Sequence, residues 1–225
     1  STHRFSFKQE LIAKSAFWVA KKRYALWIKD NNGLKVDHLE VKGIDVVRSN
    51  FAPVFREFLT TILKKVLDKS TKQELNAMIS EFQSDMKSIP LDQLAKPTSV
   101  NNLDKYILDE MGAKFKKGTP AHVKAALSYN MLLKHFNAEQ SCSPIIDKSK
   151  IKWLYLKSNP LNISSIGWKG YEDPEEINEF IKEYVDYNKI YVANLSKKIE
   201  SFYNALSWSS KPVNMKTYNF FTFND

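Results

Sequence analysis

Near residue 50 the hydrophobic pattern changes its period, and that one switch restricts the fold more than any other feature. Up to that point the apolar residues come in strand-like blocks. "SAFWVAKKRYALWI" is followed by a turn at "KDNNG", the alternating "LKVDHLEV" and then "GIDVV", which between about Phe5 and Val47 predicts a hairpin and a further strand. After "RSN" the period becomes helical: Val54, Phe55, Phe58, Leu59, Ile62, Leu63, Val66 and Leu67 fall on one face, with Pro53 acceptable in the first turn. A second helix is predicted from Ser70, whose spacing to Gln73 suits a capping box, with Leu75, Met78, Ile79, Phe82 and Met86 as its buried face.

Further on, "SIPLDQLAKPTSVNN" reads as a loop with a short turn, followed by a small helical piece around "LDKYILDEMG". "KGTPAHVKAALSYNMLLKHF" predicts a helix capped by Thr119, with Pro120 in its first turn and a stripe of Val123, Ala126, Leu127 and Met131. "KIKWLYLKSNPLNISSIGW" reads as a short strand pair. One helix opens at Asp173 and Pro174, and a last one carries Tyr191, Leu195, Ile199, Phe202 and Leu206. Strands first, then helices with a strand insertion, predict an α+β fold: a small antiparallel β base followed by a mostly helical part, divided near residues 48 to 52.

Composition narrows the chemistry. The 34 basic against 25 acidic residues give a net charge of +9. That favours a polyanionic partner such as nucleic acid, although a basic surface also serves plain solubility. The single Cys142 rules out an intrachain disulfide, and the four histidines are scattered. Two-metal nucleotidyl transfer needs closely placed aspartates, and the sequence has no Asp-x-Asp pair on a strand. "EDPEE" sits at a helix start, where acidic side chains complement the dipole. No phosphate loop and no Ser/His/Asp or Cys/His set stands out, so no catalytic residue and no metal ligand is assigned. No run of 18 apolar residues predicts a membrane span.

Three constellations carry functional readings. Read as part of one strand, Lys21, Lys22, Arg23 and Tyr24 alternate, so Lys22 and Tyr24 share one face and Lys21 and Arg23 the other. Lying along a duplex, such a face offers cations and a phenol to phosphates and groove acceptors. Lysines that protect an edge strand would look the same. In "KFKKGTPAHVKAALSYN", Lys117, Gly118 and Thr119 precede a helix whose free N–H groups, with His122 and Lys124, suit an anion. Gly118 and Thr119 would also simply turn the chain and cap it. The C-terminal "KPVNMKTYNFFTFND" holds Tyr218, Phe220, Phe221 and Phe223, either a peptide that docks on a partner or a tail that covers the chain's own core.

Taken in order, these stretches resemble the C-terminal part of a family B DNA polymerase of the T-even-like tailed-phage branch, and the resemblance covers nearly the whole chain. "FKQELIA" with "FWVAKKRYALWI" resembles the end of the palm with its Lys-Lys-x-Tyr motif, and "VKGIDVVRSN" resembles the exit into the thumb. "KGTPAHVKAALSYNMLL" is similar to the thumb segment that meets duplex backbone, and "INEFIKEYVDYNKIYVANLSKKIESFYNALSW" to the closing helices.

The resemblance implies a palm remnant over residues 1–50, a thumb over 51–208 and a tail over 209–225. It gives Lys22 a minor-groove contact with primer-template DNA, Tyr24 a primer-backbone contact, and Lys21 and Arg23 supporting contacts. Tyr218, Phe220, Phe221 and Phe223 take the place of a peptide that engages the sliding clamp. Exonuclease, fingers and the aspartates that hold catalytic Mg²⁺ would lie upstream, so the chain is expected to bind no cofactor itself and to be completed by an N-terminal polymerase polypeptide. That makes it one piece of a split polymerase or a fragment of a longer one, at work in the cytoplasm of an infected bacterium. A stand-alone adaptor between DNA and clamp is the nearest rival, and a structural protein with a solvated basic face is a third.

Overall fold

In the computed structural model, residues 9–44, 46, 50–109, 114–169 and 172–208 are described. The first strands, β1 (Leu11–Ala20), β2 (Arg23–Asn31) and β3 (Leu34–Lys42), form an antiparallel meander in that order. The charged block is therefore not the middle of a strand. Lys21 and Lys22 are the turn of the first hairpin, where Ala20 pairs with Arg23, and Lys22 adopts the left-handed conformation at φ 63°. Apolar residues on both sides disguise the break, and the turn lacks the Asn-Gly or Asp-Gly signal of the second hairpin. That second turn, at Asn32 and Gly33, takes positive φ at both residues, and Gly33 donates its N–H to Asp30 Oδ1 at 2.8 Å. Among its described residues, "GIDVV" adds no strand to this sheet: Gly43 and Ile44 bend the chain away, and Ile44 and Val46 are buried.

The register separates the two faces of the sheet. The cross-strand row Phe17, Ala25 and Val41 faces the core, where the Phe17 ring meets Phe202 edge-on at 5.8 Å. One residue along, the row Trp18, Tyr24 and Lys42 points the other way. Helices α1 (Pro53–Leu67) and α7 (Lys197–Ala205) pack against the sheet.

Helix α1 buries Phe55, Phe58, Leu59, Ile62, Leu63, Val66 and Leu67, the face its periodicity predicts except for Val54, which is only half-buried. Helix α2 (Lys72–Asp85) follows, with the Phe82 ring stacked on Phe58 at 4.0 Å. Its capping box lies one residue beyond the predicted one. Glu74 N–H donates to Thr71 Oγ1 at 3.2 Å, and Thr71 N–H donates to Glu74 Oε2 at 2.7 Å. Ser70 is left outside it: both Ser70–Gln73 and Thr71–Glu74 fit the motif, but only glutamate brings a charged acceptor to the amide.

The stretch read as a loop contains a short helix, α3 (Leu91–Leu94), and a strand, β4 (Lys96–Ser99). Pro97 argues against a central strand, yet β4 is the edge of a second antiparallel sheet ordered β4-β5-β6, a position that tolerates proline. Strands β5 (Lys150–Tyr155) and β6 (Ser165–Trp168) are the predicted pair. Helix α4 (Ala121–His135) lies on this sheet, with Ile151 Cδ1 and the Ala125 backbone closing on Gly167. It buries Ala125, Ser128, Tyr129, Leu132 and Leu133 besides Val123, Ala126 and Leu127. Met131 is only partly buried, so the packing runs round more of the helix than one stripe.

Helix α5 (Glu175–Tyr184) is followed by α6 (Tyr187–Tyr191), which continues through one widened π-helical stretch, Val192–Ser196, into α7. Just before α5, the buried Asp173 accepts from Tyr129 Oη at 2.7 Å and from Lys169 N–H, tying the start of α5 to α4. One continuous core joins Phe17 and Ala25 of the β base to α1, α4, sheet β4-β5-β6 and α7, so it crosses the division expected near residues 48 to 52.

Candidate nucleic-acid interface

The first hairpin turn presents Lys21, Lys22 and Arg23, all exposed. Because Lys21 and Lys22 lie in a turn, the strand alternation predicted for them does not hold. Arg23 is on the core-facing side with Ala25, while Tyr24 stands on the outer side, its ring 4.8 Å from Trp18. The turn is fixed from beneath by Gly43, at φ 69°. A side chain there would bring its Cβ within 2.1 Å of the Lys22 carbonyl oxygen. The sequence pattern thus joins two segments that are 21 residues apart: the turn needs the left-handed Lys22, and its seat needs a residue without a Cβ.

Below the turn, between it and α7, lies a cavity of about 160 Å³ lined by Arg23, Gly43, Lys198, Ser201 and Phe202 among others. Lys198 and Ser201 were missed by sequence reasoning. Lys198 stands four residues before Phe202 in a helix otherwise read for its apolar stripe, and nothing local marks it as a neighbour of Arg23. Its ammonium lies 5.0 Å from the centre of the Phe51 ring, and Ser201 Oγ donates to the Lys198 carbonyl at 2.7 Å.

The second constellation lies at the start of α4. Lys114 and Lys116 run antiparallel to 106–108: Leu108 N–H donates to the Lys114 carbonyl and Lys116 N–H to the Tyr106 carbonyl, both at 2.9 Å. Lys117 and Gly118 then turn the chain, Gly118 at φ 83°. Thr119 does not cap the helix. It is buried, and its hydroxyl donates to the Lys116 carbonyl at 2.6 Å. Pro120 occupies the cap position rather than the first turn and has no side-chain donor or acceptor to offer. The first-turn amides of α4 consequently receive no side-chain cap, and no acidic residue sits among them.

His122 and Lys124 are half-buried on that first turn. Burial holds the His122 imidazole below its ordinary pKa, and the positive charge of Lys96 on β4 lowers it further. Near neutral pH it is a neutral donor rather than a cation. The two constellations are carried by different parts of the fold, the hairpin on α1 and α7, the helix end on sheet β4-β5-β6. Tyr218, Phe220, Phe221 and Phe223 lie outside the described residues. Among the described residues, no three His, Cys, Asp or Glu side chains come together as a metal site, and no helix is long and apolar enough to cross a membrane.

A basic α+β scaffold with a cationic hairpin turn and an uncapped helix end is chemically suited to holding a polyanion. The chain belongs to DNA polymerase family B, whose sequence pattern matches residues 2–206. It is similar to the DNA-directed DNA polymerase of Enterobacteria phage T4, 25% identical over 187 residues, which covers 81% of this chain and 20% of the T4 protein. The DNA-directed DNA polymerase of Escherichia phage RB69 is 25% identical over 194 residues, 84% of this chain and 21% of the relative. The chain therefore spans about a fifth of the length of these relatives.

Proposed function

We propose that this chain is the C-terminal palm-and-thumb portion of a phage DNA polymerase that grips primer-template duplex. The observation that carries the reading is the family match over residues 2–206, which falls on the chain bearing both cationic constellations. In this reading residues 1–50 are the palm remnant, 51–208 the thumb and 209–225 a tail for a sliding clamp. Lys21, Lys22, Arg23 and Tyr24 meet the duplex near the primer end, and Lys117, Gly118, Thr119, His122 and Lys124 meet its backbone further along. The contacts are to phosphates and so independent of sequence.

Catalysis belongs to an N-terminal polymerase polypeptide, whose aspartates hold Mg²⁺ and which completes the enzyme. Exposed apolar residues of the β base support such a partner. Leu11, Ile12, Trp18 and Leu34 are four large apolar side chains left exposed on the sheet, Trp18 by 61% and Leu34 by 72%. Apolar surface of that kind marks a place where another chain docks.

Primer extension with Mg²⁺ and all four nucleotides tests the proposal, comparing this chain alone with the chain mixed with a polymerase N-terminal polypeptide from the same genome. Extension only in the mixture is the expected result. Tight duplex binding with no extension in either tube would favour a DNA-binding adaptor to the clamp. Affinity for duplex that does not change with salt would refute phosphate gripping altogether.

A further inference from the structure

We propose that Trp18, backed by Tyr24, is a stacking platform for the base of an unpaired nucleotide at the end of a duplex, with the Lys21–Lys22 turn holding that nucleotide's phosphate. The inference rests on the DNA-gripping reading above and adds to it an aromatic residue and a class of ligand. Four large apolar side chains stand exposed on the β base, but the strand register divides them. Leu11 and Leu34 both pair with Asn31, and Ile12 pairs with Asp30, so these three gather beside the Asn32–Gly33 turn. Trp18 pairs with Tyr24 near the opposite end, roughly 20 Å further along β1. That separation takes Trp18 out of the apolar group and gives it different neighbours.

Those neighbours are cationic. The row Trp18, Tyr24 and Lys42 runs across the side of the sheet away from the core. Lys42 closes it, its ammonium 3.6 Å from Glu40 in a contact open to water. A bulge at Val19, where β1 advances two residues for one on β2, joins this row to the Lys21–Lys22 turn. Val19 packs on the core, while Lys21 and Lys22 stay exposed. The Tyr24 ring lies 4.8 Å from the Trp18 ring at a tilt of 49°, which orders the indole before any ligand arrives. Trp18 is nonetheless 61% exposed. Covering it with an apolar protein surface would also strip water from the lysines beside it, at a cost. A nucleotide suits both kinds of group, offering a flat base to the indole and a phosphate to the ammonium groups. Within a duplex each base has both faces covered by its neighbours, so the ligand that fits is an unpaired nucleotide, whose face is open.

The test is the affinity of the full chain for three fluorescent duplexes of one sequence, measured across a salt series. One is fully paired, one carries a single unpaired 3′ nucleotide, and one carries the same nucleotide without its base. The wild type should bind the base-bearing end about 10-fold tighter than the abasic end. Trp18→Phe, which keeps a ring, should retain most of that preference. Trp18→Leu, which keeps an apolar side chain but no ring, should abolish it without changing the log–log salt slope, because stacking releases no counterion. Leu34→Ala, at the far end of the sheet, is the control and should keep the preference. Circular dichroism confirms that each variant is folded, and the abasic comparison in the wild type needs no substitution at all.

Equal wild-type affinity for the base-bearing and abasic ends, with binding still salt-dependent, would overturn the platform while leaving the gripping function in place. A preference that survives Trp18→Leu would overturn the assignment to Trp18. Trp18→Leu that binds every duplex like the wild type but no longer associates with the N-terminal polypeptide would make Trp18 a protein contact and equally refute the proposal. Wild type with no affinity for any of the three duplexes would overturn the gripping function itself.

Discussion

Replacing Gly43 by alanine puts a methyl group where the structure has a backbone oxygen. The ideal Cβ stands 2.1 Å from the Lys22 carbonyl oxygen and 3.1 Å from Arg23 Cγ, so the hairpin turn must lift by about 1 Å to reach an ordinary contact. Two costs add. Holding a non-glycine residue at φ 69° costs roughly 1–2 kcal/mol, and displacing a packed turn costs about 1–3 kcal/mol more. Gly33 and Gly118 separate the two, since both have positive φ and neither has an atom within 4 Å of the added Cβ. Their alanine variants should lose only the first component.

In urea unfolding, Gly43→Ala is expected to fall short of wild type by roughly 3 kcal/mol, against about 1–2 kcal/mol for Gly33→Ala. A chain of this size should show that as a drop in Tm of about 6–12 °C for Gly43→Ala. Because the displaced group is the turn itself, Gly43→Ala should also weaken duplex binding at temperatures where it remains folded. Equal losses for the two glycine variants would refute the contact, and with it the seating of the Lys21–Lys22 turn on Gly43.

Thr71→Ala should cost about 1 kcal/mol through the lost α2 cap, while Ser70→Ala should stay within ~0.5 kcal/mol; the reverse order in denaturant melts would restore the box to Ser70. Tyr129→Phe removes the donor to buried Asp173 and should cost roughly 1.5–3 kcal/mol, which thermal unfolding would detect. Burial raises the phenols of Tyr129, Tyr191 and Tyr203, the last to about 12, with the Asp173 carboxylate adding at Tyr129. The unfolded chain therefore loses these protons first, and stability should fall as pH rises above ~10. A flat profile there would contradict their burial. For His122 the sign is opposite: its folded pKa lies below 6.5, so on acidification the unfolded state takes up the proton first and stability declines. An NMR midpoint at or above 6.5 in the free protein would contradict that environment.

The parts of the fold legible in the sequence were those with a strong period. The α1 face from Phe55 to Leu67 and the strands from Lys150 to Trp168 were readable because many residues carry the same signal. What was hidden depended on a few backbone angles or on distant neighbours. The Lys21–Lys22 turn has apolar flanks on both sides and a left-handed lysine in place of glycine, so it reads as uninterrupted strand. Strand β4 is four residues long and contains Pro97, which only its edge position makes acceptable. The turn cations were visible as a cluster, and Lys117, His122 and Lys124 as a helix start. Thr119 was not seen to turn inward to Lys116, because two local acceptor arrangements compete and burial decides between them. Lys198 was unreadable as a site residue, since its relation to Arg23 exists only after the chain has folded.

The widened stretch Val192–Ser196 has a consequence for how the length of the closing helix relates to its aim. A π-helical turn accommodates one residue more than an α-turn, whereas one residue of ordinary helix rotates everything downstream by about 100°. The extra residue is thus absorbed as slack, and Phe202 still reaches Phe17 while Lys198 still lines the cavity under the hairpin. Shortening this stretch by one residue should tighten it to regular α-helix with the aim of α7 preserved. The same deletion inside Lys197–Ala205 would swing the downstream side chains to a different azimuth.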